Sequence, residues 1–235
     1  MKRPALIASV ALLLGISGGS AGLAPPVAGA AEMALPSGMR VGMPVKSMKD
    51  LRFQATLRQQ YDFSCGSAAL ATLLTHHYGV PTSEQDAFQQ MFLSGDQQKI
   101  RREGFSLLDM QRFLKSRGFT ANGFQLPLDK LIEAKLPAIV LISDKGYHHF
   151  VVVKGAEDGR ILLGDPSRGT RTIARARFEE MWANHILFVI HEGPKQAAFN
   201  LAADWRNAPR APLGDGVNRA IDTTYTLPKF GPGDF

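Results

Sequence analysis

Pro137-Ala138-Ile139-Val140-Leu141-Ile142-Ser143, His149-Phe150-Val151-Val152-Val153-Lys154 and Arg160-Ile161-Leu162-Leu163 are three short runs rich in β-branched and aliphatic residues. Asp144-Lys145-Gly146 separates the first pair and Glu157-Asp158-Gly159 the second, and both are strong turn signals. The pattern predicts strands over 137–143, 150–154 and 160–163, joined as antiparallel hairpins. Residues 171–174 extend the sheet, 177–182 form a short helix and 186–191 a last strand. Upstream the grammar is helical. Leu70, Leu73, Leu74, His77 and Tyr78 recur at helical spacing over 67–78, and Gly79 with Pro81 supplies the stop. A second helix spans 83–93, with Glu84 and Asp86 in its first turn. A third spans 106–117, N-capped by Ser106 with Asp109 three residues on and ended by Gly118. A short one covers 128–134. Helices first and an antiparallel sheet afterwards indicate α+β, not a doubly wound sheet.

The flanks read differently. Met1-Lys2-Arg3 is a basic start, ALIASVALLLGI (5–16) is an apolar run, and Ala28-Gly29-Ala30 offers small residues for cleavage after position 30. These are the three parts of an export signal, and the run is too short for a membrane span. An uncleaved anchor is the alternative; with no cysteine after the run, lipid anchoring is excluded. Removal of 1–30 leaves 205 residues with 25 basic and 21 acidic side chains, a net +4. No block of Lys or Arg interleaved with aromatics accompanies that mild charge, which argues against a nucleic-acid partner. The expected organisation is a signal peptide over 1–30, an N-terminal arm over 31–50, one domain over 51–191 and an irregular tail over 192–235. Residues 48–61 are expected to be extended and to approach the site. There is no internal repeat.

Cys65 is the chain's single cysteine. It follows a polar turn, Tyr61-Asp62-Phe63-Ser64, and opens an Ala/Leu-rich helix. Unpaired N–H groups and the positive end of the helix dipole favour a thiolate there. In an oxidising compartment one cysteine forms no internal disulfide; a buried, inert thiol is the plainer reading, against which the polar turn and Gly66 both count. A thiol nucleophile needs a base. His148 and His149 open a strand, and because strand residues alternate faces only one of them points at Cys65. Asp165 ends the next strand, beside the start of the first in an antiparallel pair, within reach of His149. A carboxylate there fixes the imidazole tautomer. Asp165-Pro166 alone would be an ordinary turn. Gln59 and Gln60 each offer a side-chain amide to a developing oxyanion, with the Cys65 N–H as second donor. Zinc would require further ligands at motif spacing, and there is no second cysteine. His76 and His77 diverge on their helix and do not make a ligand pair; one is expected packed and one exposed. No metal or organic cofactor is implied.

Gln59, six before Cys65, then Asp62-Phe63-Ser64-Cys65-Gly66, then His149-Phe150-Val151-Val152-Val153 and Asp165-Pro166-Ser167-Arg168-Gly169 resemble the C39 peptidases. These are papain-like cysteine peptidases that cut bacteriocin leader peptides after a double glycine. The resemblance covers about 52–191. It implies a papain-like fold with N-terminal helices on an antiparallel sheet, Cys65 as nucleophile, His149 as base, Asp165 as orienting residue and Gln59 as oxyanion donor. It favours His149 over His148 and Gln59 over Gln60. Such domains usually head an exporter with membrane helices and an ATPase, patterns not found here. The chain is more similar to the free-standing exported members, in particular the peptidase-like component of functional-amyloid (Fap-type) secretion operons. The reading is therefore a periplasmic cysteine endopeptidase acting on an exported polypeptide or leader peptide, with secretion-system components as further partners and no nucleic acid. A peptide-holding module that does not cleave, and a Cys-His-Asp acyltransferase or amidase, are the alternatives.

Overall fold

The computed structural model describes residues 30–34, 40–44, 46–144, 146–193 and 197–208. The export signal expected over 1–30, except for Ala30, and the expected tail beyond 208 lie outside the described residues. The chain divides into Met1–Lys46 and Ser47–Phe235. In the first unit, β1 (Ala30–Ala34) pairs antiparallel with β2 (Arg40–Pro44), with Ala30 opposite Pro44. The N-terminal arm expected over 31–50 therefore contains most of a pair of antiparallel strands.

The second unit is built on a six-stranded sheet: β3 (Thr120–Phe124), β4 (Ala138–Asp144), β5 (Tyr147–Glu157), β6 (Arg160–Asp165), β7 (Gly169–Ala174) and β8 (Leu187–Glu192). The order is β3-β8-β4-β5-β6-β7, and every pairing is antiparallel. Alternation sorts the side chains between two cores. Ile139, Val152, Phe188 and Ile190 face α2 (Cys65–Thr72), α3 (Glu84–Ser94) and α5 (Leu107–Ser116). Val140, Ile142, Val151, Val153 and Val189 face α6 (Leu128–Ala134) and α7 (Arg175–Met181). The molecule is thus α+β, with helices on both faces of the sheet and not only the N-terminal ones on one.

α2 is entirely buried and mostly apolar, as a central helix must be, and its two hydroxyls are partnered: Ser67 Oγ donates to Glu84 Oε1 and Thr72 Oγ1 accepts from Leu57 N. It ends in a π-helical turn, Leu73–His77, where a uniform helix to 78 was expected. His77 is buried, as one of that pair was predicted to be, but His76 is half-buried and not exposed. Two elements were not anticipated: α4 (Gln97–Glu103), which buries only Ile100, and β3. α1 (Met48–Arg52) is a short helix capped by Ser47 in a stretch expected to be extended. Residues 197–208, expected irregular, contain α8 (Ala202–Asn207).

Candidate active site

Cys65 sits at the first position of α2, and nothing from Ser64 caps that helix. The Ser64 hydroxyl is engaged in the preceding turn instead, donating to the Tyr61 carbonyl at 3.0 Å while accepting from the Tyr61 N–H at 3.1 Å. The helix N-terminus is therefore open beside the thiol. Gly66 is closely packed: a Cβ there would lie 2.8 Å from Met110 Cε and 3.0 Å from Phe105 Cβ, so a larger residue would have to displace both. Its contribution is to let α5 close against the cysteine helix.

His149 lies near the start of β5, opposite Ile142 of β4. Alternation puts His149 on the same face as Tyr147, and His148 is exposed. The imidazole is almost wholly buried, and its Nε2 bonds Asp165 Oδ1 at 2.9 Å. Asp165, at the end of β6, is more constrained still. Oδ1 also accepts from Ser167 N at 2.9 Å, Ser167 Oγ at 2.7 Å and Arg168 N at 3.2 Å; Oδ2 accepts from Arg171 Nε at 3.1 Å. Donors on both oxygens fix the carboxylate, which in turn fixes the imidazole tautomer and ring plane. His149 Nδ1, buried and bonded to nothing else, is left for the Cys65 thiol.

The electrostatics follow. Burial by itself would lower the imidazole pKa, but the bond to Asp165 and the nearby Cys65 outweigh it and raise it to about 9. Burial pushes the Asp165 carboxyl up, yet the bond and charge of His149, the Ser167 hydroxyl and Arg171 together hold it well below the ordinary carboxylate range. The favoured state is thus an imidazolium between a carboxylate and the sulfur. Because the folded His149 pKa lies above its ordinary 6.5, its stabilising contribution is complete below about 6.5 and disappears as pH rises through about 9. A thermal melt series should show this loss over pH 6.5–9 in the native chain and not in His149→Gln; equal slopes would contradict the assignment.

Gln59 is brought in by its own backbone, whose N–H donates to the Pro166 carbonyl at 3.1 Å, next to Asp165. Its Nε2 donates to the Tyr61 carbonyl at 3.1 Å. An amide nitrogen carries two N–H groups, and the Gln59 side chain also lies against the Tyr147 phenol, to which it donates. Gln60 is exposed. Cys65, His149, Asp165 and Gln59 therefore converge, and His148 and Gln60 differ from them in burial. A cleft of about 450 Å³ opens on the sulfur, walled by Phe63, Arg101, Phe105, Tyr147 and Phe150 among others.

Tyr147 and Arg171 were not singled out in the sequence, and Ser167 was quoted there only as part of the stretch after Asp165, with no role. The Tyr147 ring stacks on the His149 imidazole, centroids 5.9 Å apart and planes 27° off parallel, and its hydroxyl donates to the Asp62 carbonyl at 3.3 Å. Period-two spacing from His149 was the available signal for Tyr147; Ser167 and Arg171 had none beyond proximity to Asp165. Among the described residues, no group of three or more His, Cys, Asp or Glu side chains is arranged to hold a metal ion. No described helix is long and apolar enough to cross a membrane.

A thiol at an open helix end, with an imidazole and a carboxylate behind it, defines the class of cysteine hydrolases. The chain belongs to the peptidase C39 family, whose model matches residues 54–193, and it is a cysteine peptidase. It is 38% identical over 188 residues to a probable functional amyloid protease, FapD, of Pseudomonas aeruginosa, covering 80% of each chain. The FapD of Pseudomonas fluorescens is 38% identical over 164 residues, 70% of this chain and 73% of that one. Among solved structures, the peptidase domain of Streptococcus ComA aligns over 59% of this chain and 98% of its own, with 23% identity and a TM-score of 0.48.

Proposed function

We propose that the chain is an exported, periplasmic endopeptidase that cuts a polypeptide through Cys65, His149 and Asp165. The observation that carries this is the His149 Nε2–Asp165 bond, which leaves Nδ1 for the sulfur. The Cys65 thiolate attacks the scissile carbonyl, a C–S bond forms, and the carbonyl oxygen takes the negative charge. Gln59 Nε2, turning one N–H from Tyr147 to the substrate, and the Cys65 N–H, at the open end of α2, are the donors for that oxygen. The His149 imidazolium gives its proton to the departing amine, leaving an acyl-enzyme. Water, deprotonated by His149, then releases the acid. Each step uses this chain's own groups and water.

The names of the two Pseudomonas relatives support a substrate in functional-amyloid secretion, and the export signal over 1–30 supports the periplasm. Substrate recognition by the 450 Å³ cleft then involves a polypeptide, with secretion-system components as further partners. Comparing the termini of exported proteins from cells carrying the native chain or an inactive variant tests this directly. New termini found only with the native chain support cleavage; identical termini favour the peptide-holding alternative. Products joined to an added amine would favour acyl transfer.

The oxyanion assignment makes its own forecast. Gln59→Ala lowers kcat by roughly 10²–10³, the usual cost of one such donor, with little change in KM. Steady-state kinetics on a peptide substrate decide it: a loss confined to KM would assign Gln59 to binding instead.

A further inference from the structure

The segment 197–208 lies beyond the residues matched by the family model, yet it is fastened at several points. The Ala198 N–H donates to the His77 carbonyl at 2.7 Å, and His77 Nδ1 bonds the Ala198 carbonyl at 2.6 Å. A carbonyl only accepts, so the ring is the neutral Nδ1–H tautomer. Burial first, and then Lys154, lower this histidine's pKa to about 4 and keep it neutral. Asn200 substitutes for a strand partner: its N–H donates to the Lys154 carbonyl at 3.0 Å, its Oδ1 accepts from Ala156 N at 2.8 Å, and its Nδ2 donates to the Ala156 carbonyl at 3.0 Å. Gly155 makes room, because a Cβ there would meet Asn200 Oδ1 at 2.0 Å. Asp204 forms a buried ion pair with Lys154 at 3.0 Å.

Lys154 makes one further contact. It sits where the β5–β6 register shifts between Val153 and Gly155, and such a bulge re-aims a side chain. Here the lysine is wholly buried, and Nζ donates to the Ala55 carbonyl at 2.6 Å. Ala55 begins the stretch leading to Gln59. Thr56 Oγ1 bonds Thr170 Oγ1 at 2.7 Å, Leu57 N donates to Thr72 Oγ1 at 2.8 Å, and Gln59 N donates to Pro166 O. The strap thus grips the far ends of two elements whose near ends carry the site and, through Lys154, reaches a third. These are α2 with its π turn, holding Cys65 in front and His77 behind; β5, holding His149 in front and Lys154 behind; and the 55–59 stretch ending at Gln59.

We propose that the strap 197–208 is a positioning element for the oxyanion donor: Asp204 holds Lys154, and Lys154 holds the segment that presents Gln59. This rests on the assignment of Gln59 and Cys65 under the proposed function, and two chemistries applied to the full-length chain separate the two ideas. Iodoacetamide alkylates the Cys65 thiolate and builds no oxyanion. An acetylated tetrapeptide ending in glycinal joins its aldehyde carbon to the sulfur, and the carbonyl oxygen gains charge before taking the imidazolium proton, so its addition needs Gln59. Asp204→Asn should leave iodoacetamide alkylation within about twofold while slowing aldehyde addition roughly tenfold or more, toward the loss expected for a missing donor. Adding Gln59→Ala should then cost little more, because the donor is already misplaced. Asn200→Ala, which uncovers no buried charge, should show the same split more weakly, and Asp204→Glu should restore part of the addition rate. Equal losses in both reactions, no loss in either, or full multiplication with Gln59→Ala would reduce the strap to a structural role and overturn the inference. A native chain that is alkylated with dependence on His149 but adds no aldehyde overturns the inference alone. One that does neither overturns the peptidase assignment along with it.

Discussion

Cys65→Ala should abolish peptide hydrolysis while leaving the fold intact. Alanine removes the only thiol in the chain, and no other side chain lining the cleft is a nucleophile of that kind. The lost covalent step leaves only what water achieves in a cleft that still binds, which in other triad hydrolases leaves about 10³–10⁴ over the uncatalysed rate. Packing is hardly affected, since alanine fits wherever the smaller atoms of cysteine did and α2 already carries Ala68, Ala69 and Ala71. A second readout follows from the electrostatics. The thiol is among the groups that raise His149 to about 9, so the imidazole pKa should fall in Cys65→Ala as followed by its NMR titration. Unchanged hydrolysis, or an unmoved imidazole, would show that sulfur and ring do not act together.

Asp204→Ala should be the most damaging substitution for stability outside the apolar cores. Lys154 is wholly buried and Asp204 nearly so, and removing the aspartate leaves an ammonium in the interior with one carbonyl for company. Breaking a buried pair in this way costs about 3–5 kcal/mol, much of it the uncompensated charge. For a chain of this size that is a fall in melting temperature on the order of 10 °C. Replacing both partners by apolar residues, Lys154→Met with Asp204→Leu, should cost markedly less, because no charge is stranded. Denaturant midpoints of the two variants provide the check. A cost below about 1 kcal/mol for Asp204→Ala would mean the pair is solvated in the working molecule.

The sheet and the main helices were legible because their signals are local and strong. Val151, Val152 and Val153 alternate between two cores, and Ser106 with Asp109 forms the capping box that the sequence announces. The pairing of His149 with Asp165 was legible for a topological reason, since one hairpin brings the mouth of β5 beside the end of β6. What escaped was weakly patterned. α4 reads QQKIRRE and buries a single isoleucine, so no periodicity betrays it. β3 contains Asn122 and Gly123, both poor strand formers, and is held by its pairing with β8. Lys154 continues an apolar strand in sequence and looks like its polar end; only the bulge and the distant Asp204 turn it inward. The His76-His77 pair carried no hint that the helix widens to a π turn there and meets Ala198. Long-range partners decide such residues, and a single sequence does not display them.

The most direct measurement is intact-mass and peptide-mapping spectrometry after exposure to a peptide bearing a thiol-directed electrophile. The native chain should gain one adduct, mapped to Cys65, at a rate that collapses in His149→Ala. Absence of the adduct, or labelling that proceeds at the same rate without the imidazole, would contradict a sulfur activated by His149.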